Sequence, residues 1–406
     1  MLESIATHGY EATTVASVTA LAGVSRRAFY EQFANKQACF WSSYETVVAC
    51  AREVLLGAWT SERGWERRMR AACRQLLEEI ANSPHGAHVV LVDALGLGRC
   101  ARERARLADV AFERLLATAL GSASRQTGFS RLTARAVVGG VRQILFARVR
   151  DRRADELPAL SEQLLEWVEC YRAPAGRVRP SIVPGARSVR PAPAAFLERG
   201  DSRTRLLGAV VHLTLDGGYA TLVGPQIADF AGLSVEALRL EFGDKEACFL
   251  TVLDEFAREA LDTVTAQMQR ASSWPEAVWA GVAAFLEHLA ARPALLRIAF
   301  IELFDVGAGV IGHLTCSVEG LAALLTADAP AARHAPDIAQ EAIVGAIWAL
   351  IGGALAGRGG GERLPALAGP LSFTVLAPYL GASAAIAEIE AIGTPARTVP
   401  APLRGG

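Results

Sequence analysis

Residues 9–40, GYEATTVASVTALAGVSRRAFYEQFANKQACF, hold the densest set of side chains in this chain that could do chemistry. Arg26, Arg27, Tyr30 and Gln32 fall in one short run, SRRAFYEQF, and Lys36 follows. The residues around them read as helix punctuation. Thr14 precedes the apolar-periodic Val15, Val18, Leu21 and Ala22 and is a candidate N-cap. Gly23 suits the positive-φ position just past a helix end. Ser25 then caps a short helix over 26–32, and Asn35 caps a third helix beginning at Lys36. Helix, glycine turn and short helix make a helix-turn-helix, whose second helix enters the major groove with its N-terminal residues on base edges. Arg26, Arg27, Tyr30 and Gln32 are expected on the outward side of that helix. Val15, Val18, Leu21, Ala22, Phe29 and Phe33 are expected in the core.

Other chemistries find no support. The seven histidines (8, 85, 88, 212, 288, 313, 334) are scattered, and His85 and His88 beside Pro84 read as a loop pair. No serine sits at a nucleophile elbow, and no residues fall at metal-ligand spacing. Gly96, Gly98 and Ala101 fit G-x-G-x-x-A, and Gly307, Gly309 and Gly312 fit G-x-G-x-x-G. A dinucleotide site needs a βαβ unit around such a string, and these flanks read as helical. The expectation is therefore no enzyme, no catalytic residue, no metal and no cofactor. The seven cysteines are odd in number and form no C-x-x-C. They read as reduced thiols in a cytoplasmic protein. No apolar run reaches the ~18 residues of a membrane helix, and no secretory signal is visible at the N-terminus.

The elements that would position the candidate residues are almost all helical. Residues 66–80 place Met69, Ala72, Cys73, Leu76, Leu77 and Ile80 at spacings of three and four, and 276–290 repeat the pattern. The repetition is general. At a constant offset of 209, Gly9-Tyr10 falls on Gly218-Tyr219, Ser25 on Ser234 and Ala38-Cys39-Phe40 on Ala247-Cys248-Phe249. Trp65 falls on Trp274, and the only two lysines, Lys36 and Lys245, are equivalent. Later the frame slips, and Leu157-Pro158-Ala159-Leu160 matches Leu364-Pro365-Ala366-Leu367. A repeat of about 200 residues means two whole modules in 406 residues, since domains run to roughly 150 residues each. The stretch 172–196 is rich in Pro, Arg, Ala and Gly and reads as an exposed linker. Net charge is −1, but residues 1–172 carry +4, 173–200 another +4 and 201–406 carry −9. The front of the chain suits a polyanion; the back as a whole does not.

The string G-Y-x-A-T-T-V-x-x-V-x-x-x-A-G-V-S-R-x-x-F-Y-x-x-F-x-x-K-x-x-C-F resembles the DNA-binding domain of TetR-family transcriptional regulators. GYATLVGPQIADFAGLSVEALRLEFGDKEACF at 218–249 resembles the same domain. The resemblance implies an all-α fold of two TetR-like modules, each a helix-turn-helix three-helix domain followed by a helical ligand-binding and dimerisation domain. The divisions would be 1–45 with a truncated first helix, 46–172, a linker 173–200, a degenerate second helix-turn-helix domain 201–254, a second helical domain 255–390 and a disordered tail 391–406. The truncation follows from Met1 aligning with Val210.

Residue by residue, the resemblance puts Thr14, Tyr30 and Lys36 on phosphates and Arg26, Arg27 and Ala28 at base edges. An arginine can bond guanine O6 and N7 together. Ser25, Gln32, Arg239 and Lys245 complete the candidate DNA-contact set. In the second module Arg26, Arg27, Tyr30 and Thr14 become Val235, Glu236, Arg239 and Val223, and Gly224 stands as a poor cap before Pro225. The helical domains imply a small-molecule pocket. The richer candidate wall lies in the second module: Trp274, Trp279, Phe285, His288, Phe300, Phe304, His313 and Trp348. The function expected is a sequence-specific repressor of transcription on a double-stranded DNA operator, released by a small lipophilic effector. Its two modules would pair within the chain as a pseudo-dimer through 134–150 with 160–171 and 338–357 with 366–380, with a homodimer as a further option and no membrane partner. The alternative is a ligand-sensing or interaction protein whose second module binds little or no DNA.

Overall fold

A computed structural model describes residues 1–123, 131–172, 192, 194–306, 308–330, 335–357 and 360–393, with side chains at all of these except 99–102, 119–123 and 308–315. Regular structure among the described residues is entirely helical. The first half holds α1 (Leu2–Ala12), α2 (Val15–Ala22), α3 (Arg26–Gln32), α4 (Lys36–Ser61), α5 (Trp65–Asn82), α6 (Pro84–Leu91), α7 (Gly98–Ala123), α8 (Arg131–Arg150) and α9 (Ser161–Glu169). The second holds α10 (Ser202–Gly217), α11 (Gly224–Ala231), α12 (Val235–Phe242), α13 (Lys245–Met268), α14 (Trp274–Ala291), α15 (Pro293–Phe300), α16 (Ala308–Thr326), α17 (Ala339–Leu355), α18 (Ala368–Leu380) and α19 (Ala382–Gly393). Each of α2 to α6 begins 209 residues before its counterpart among α11 to α15. Helix α1 is kinked at Gly9, φ 77°, and α10 ends against the counterpart glycine, Gly218, φ 83°.

Several expectations change. His85 and His88 lie on the helix α6 rather than in a loop, and His88 Nδ1 meets Asp93 Oδ2 at 2.9 Å. The N-cap of α11 is Val223, with Gly224 the first helical residue and Pro225 in the first turn, where its missing N–H costs nothing. Helix α19 runs to Gly393, past the expected start of the tail at 391; residues 394–406 lie outside the described residues. Most of the expected linker also lies outside them, and near its end Ala194 and Phe196 are buried while Ala195 and residues 198–200 are exposed. Phe196 is buried and donates its N–H to Glu259 Oε1 at 2.8 Å, and Ala192 N–H reaches Ala291 O at 2.9 Å.

The two halves meet along α8 and α17. Val137, Ile144 and Leu145 are buried on the first helix and Ile343, Ile347, Leu350 and Ile351 on the second. Each such side chain contributes about 1.5–3 kcal/mol on burial. Small residues set the approach: a Cβ on Gly139 would stand 2.5 Å from the Gly345 carbonyl oxygen, and a Cβ on Gly345 would overlap the Gly139 carbonyl. At the edge of the seam Arg148 Nη1 donates to both carboxylate oxygens of Glu341, at 2.6 and 2.8 Å. The buried Tyr171 donates its hydroxyl to Thr374 O at 3.0 Å. One apolar core runs through this seam and takes in the second helix-turn-helix, with Leu206, Val210, Ile227, Leu238 and Phe249. The first helix-turn-helix stands apart on two small clusters. One is Val18, Phe29 and Cys39; the other is Ile5, Phe40, Trp41, Tyr44, Val89 and Ala94.

Candidate nucleic-acid interface and interior cavity

Each turn of the first helix-turn-helix is fixed by a short polar side chain. Ser17 N–H donates to Thr14 Oγ1 at 3.1 Å while Thr14 N–H donates to Ser17 Oγ at 3.0 Å, a reciprocal cap on α2. Gly23 ends that helix at φ 67°. Ala28 N–H donates to Ser25 Oγ at 3.1 Å, and Ala38 N–H to Asn35 Oδ1 at 2.8 Å. Phe29 is buried beneath α3, which turns Arg26, Arg27, Tyr30 and Gln32 to solvent and leaves Ala28 half-buried at its start. Thr14 and Ser25 are exposed beside them.

Two of the expected core residues are not core. Leu21 is 52% exposed and Ala22 is exposed. In the second half the counterpart of Ala22, Ala231, is buried, because α10 starts further back than α1 and its added turns cover that spot. Arg205 there donates to the Ala231 carbonyl oxygen. Leu21 has an exposed counterpart in Phe230, which stacks on His212 with ring centroids 4.6 Å apart.

Electrostatics distinguish the two short helices. Arg26 and Arg27 occupy the first turn of α3, where the partial positive charge of the helix dipole disfavours cations by about 0.3–1 kcal/mol. An exposed ion pair between Arg27 Nε and Glu31 Oε1, 3.0 Å, offsets little of this, since such pairs contribute roughly 0.3–0.5 kcal/mol. The arrangement is uneconomical for an isolated helix and suits one that meets a polyanion. In α12 the first turn carries Glu236 instead, which complements the dipole and repels phosphate. Arg239 is exposed, and Leu240, 88% exposed, stands where Glu31 stands in α3.

Lys36 and Lys245 do something not visible in the sequence. Lys36 Nζ donates to Tyr10 O at 2.9 Å and lies 4.2 Å from the centroid of the Tyr10 ring; Lys245 Nζ donates to Leu222 O at 2.7 Å and lies 4.7 Å from the Tyr219 ring. Both ammonium groups tie the start of the fourth helix of their half to the short segment that follows Gly9 or Gly218. Burial raises the Tyr219 phenol to about 12, so the ring stays neutral beneath the cation.

The expected aromatic wall does not line the large interior cavity. Trp274 donates its Nε1–H to Leu325 O at 3.0 Å, and Trp279 packs against the core. Phe285 and His288 are buried, Phe300 and Trp348 pack with tilted rings 4.6 Å apart, and Phe304 is half-buried. The His313 side chain lies outside the described residues. The cavity, about 570 Å³, lies in the first half, among α4 to α9. Its wall is apolar, with Leu55, Trp59, Met69, Phe112, Val141 and Leu164 among its members, and no sequence signal marks it because these read as ordinary core periodicity. Tyr44, Asp109 and Arg142 are polar groups set in that wall, which also includes Thr118 and the solvent-exposed Arg52 and Arg114. Arg142 Nη1 stands 3.5 Å from Asp109 Oδ2. Burial raises the Asp109 carboxyl above the usual carboxylate range, against the lowering effect of Arg142. Burial likewise pushes the Tyr44 phenol up to about 12. Beside them Glu113 and Arg135 make a two-pronged pair at 2.9 and 3.2 Å.

No metal-binding cluster of His, Cys, Asp or Glu occurs among the described residues, and no described helix is long and apolar enough to cross a membrane. Comparison with curated proteins gives no match. Residues 2–41, which span α1 to α3 and the start of α4, match the family described as bacterial regulatory proteins, tetR family, and this supports a DNA-binding transcriptional regulator.

Proposed function

We propose that this chain is a ligand-responsive transcriptional repressor built from two TetR-like modules that pair with each other instead of with a second chain. The observation that carries the DNA-binding part is the family match at 2–41 on a segment whose α3 exposes Arg26, Arg27, Tyr30 and Gln32. Arg26 and Arg27 read base edges, Thr14, Tyr30 and Lys36 hold phosphates, and Ser25 fixes the start of the reading helix. The second helix-turn-helix serves chiefly as a fixed partner, with Arg239 and Lys245 offering backbone contacts at most. The paired surfaces of α8 and α17, and the recurrence of helix starts at a constant separation, support the pseudo-dimer. The cavity beside α4 supports an effector. That helix begins at Lys36 under the helix-turn-helix and lines the cavity further along, so an occupant has a rigid lever to the DNA-reading face.

The test is a mobility shift on the DNA upstream of the chain's own coding region. Retardation that weakens with salt and is lost in the Arg26→Ala/Arg27→Ala double variant supports the reading. Retardation that is unchanged in that variant overturns it.

A further inference from the structure

The two halves share their element order but not their interiors, and the difference runs through one place. Val47 and Leu76 are half-buried on the cavity wall; their counterparts 209 residues on, Phe256 and Phe285, are larger and buried. Leu55 and Ile80 line the cavity half-buried, while their counterparts Val264 and Leu289 are buried. The polar groups are also replaced. Asp109 corresponds to Val318, which is buried. In the frame in which Gly139 faces its own counterpart Gly345, Arg142 corresponds to Trp348, and Trp348 packs on Phe300, the counterpart of Leu91. Phe285, Phe300 and Trp348, three of the side chains that read as a pocket wall, therefore sit where the first half has cavity-lining residues. The helix-turn-helix beside the open half rests on its own small clusters, while the one beside the filled half is continuous with the main core.

Resting on the reading of this cavity as an effector site, we infer that the chain takes one effector, in the first half only, and that it is an uncharged, mostly apolar molecule carrying a hydroxyl group that bridges Asp109 and Arg142. The volume fits a compact or flexible molecule of this kind, since ligand sites commonly span roughly 300–1,000 Å³. The charge preference follows from the pair. Asp109 and Arg142 are opposite charges at a long 3.5 Å contact inside an apolar wall. A hydroxyl accepts from the guanidinium and donates to the carboxylate, so it completes both partners without adding charge. A carboxylate ligand would displace Asp109 and leave that charge without its partner in an apolar wall. An ammonium would do the same to Arg142. Either carries a desolvation penalty that a neutral group avoids.

The experiment uses the full chain and N-phenyl-1-naphthylamine, an uncharged apolar fluorophore, displaced by 1-dodecanol, dodecanoate or dodecylamine. The expected result is one probe per chain, with dodecanol displacing it at least ten-fold more strongly than either charged analogue. Val47→Phe, which copies the second half, should abolish probe binding and raise the melting temperature by filling the space. Asp109→Asn keeps the volume and should keep probe binding while narrowing the preference for the alcohol over dodecanoate. Phe256→Ala in the second half should leave the single site of the first half intact. Two probes per wild-type chain, binding that survives Val47→Phe in a folded protein, or tighter displacement by dodecanoate would each overturn the inference. The readout does not involve DNA. One alcohol-selective site on a chain that fails to retard its upstream DNA would sink the repressor reading and leave the site standing.

Discussion

At the scale of single residues, the pair of lysines offers an experimental separation of DNA contact from scaffolding. Lys36 and Lys245 make the same clamp, a charged hydrogen bond to a carbonyl under an aromatic ring. Only Lys36 stands beside a recognition helix with two exposed arginines. Lys36→Ala and Lys245→Ala should therefore each cost about 1.5–3 kcal/mol in urea unfolding, since hydrogen bonds to charged groups contribute on that order. Only Lys36→Ala should also weaken every duplex alike and reduce the salt slope of binding by about one unit. Equal effects of the two on DNA affinity would make the second helix-turn-helix an equal reader.

His288 gives a pH test. Burial first, then Arg292, lowers its imidazole to about 4, and its ring stacks on Phe256. A free histidine titrates near 6.5. Between those values the unfolded chain binds a proton that the folded chain refuses, so stability present above about pH 6.5 is lost as pH falls toward 4. The loss should approach about 3 kcal/mol at 1.4 kcal/mol per unit, and His288→Gln should flatten urea midpoints across that window.

At the scale of elements, caps and turns were the most legible part of the chain. Thr14, Gly23, Ser25 and Asn35 announce their helix ends because a side-chain oxygen or a missing Cβ satisfies a local backbone need, and the need does not depend on the rest of the fold. Burial was less legible. Leu21 obeys the periodicity of α2 yet faces solvent, and what covers Ala231 but not Ala22 is the length of a neighbouring helix. The cavity was the least legible. Aromatic residues in the second half look like a pocket wall in sequence, but whether a side chain lines a space or fills it depends on summed volumes across several helices.

The α8 and α17 seam offers a paired test within one helix. Gly345→Ala places a methyl group into the Gly139 carbonyl and should destabilise by about 1–3 kcal/mol. Gly352→Ala, on the same helix, meets nothing within 4 Å and should stabilise by about 0.5–1 kcal/mol through lower backbone entropy in the unfolded chain. Matching urea midpoints for the two variants would mean that the helices do not approach as closely as described.

At the scale of the whole molecule, the two halves differ in what they expose and in how their interiors are built. The first half carries exposed arginines, the cavity and a helix-turn-helix on separate small clusters; the second carries larger or more deeply buried side chains at matching positions and a helix-turn-helix continuous with the main core. Symmetric regulators read inverted repeats because two identical recognition helices are related by a two-fold axis. Here SRRAFYEQF and SVEALRLEF present different side chains, so an internal pair cannot favour identical half-sites. The most direct measurement is selection of bound duplexes from a random pool, with the mass of the complex determined on the winning sequence. One chain on a site with a single sharp half, and a blurred or unrelated second half, is the expected result. Two chains on a clean inverted repeat would contradict internal pairing and show two copies of the first helix-turn-helix reading together.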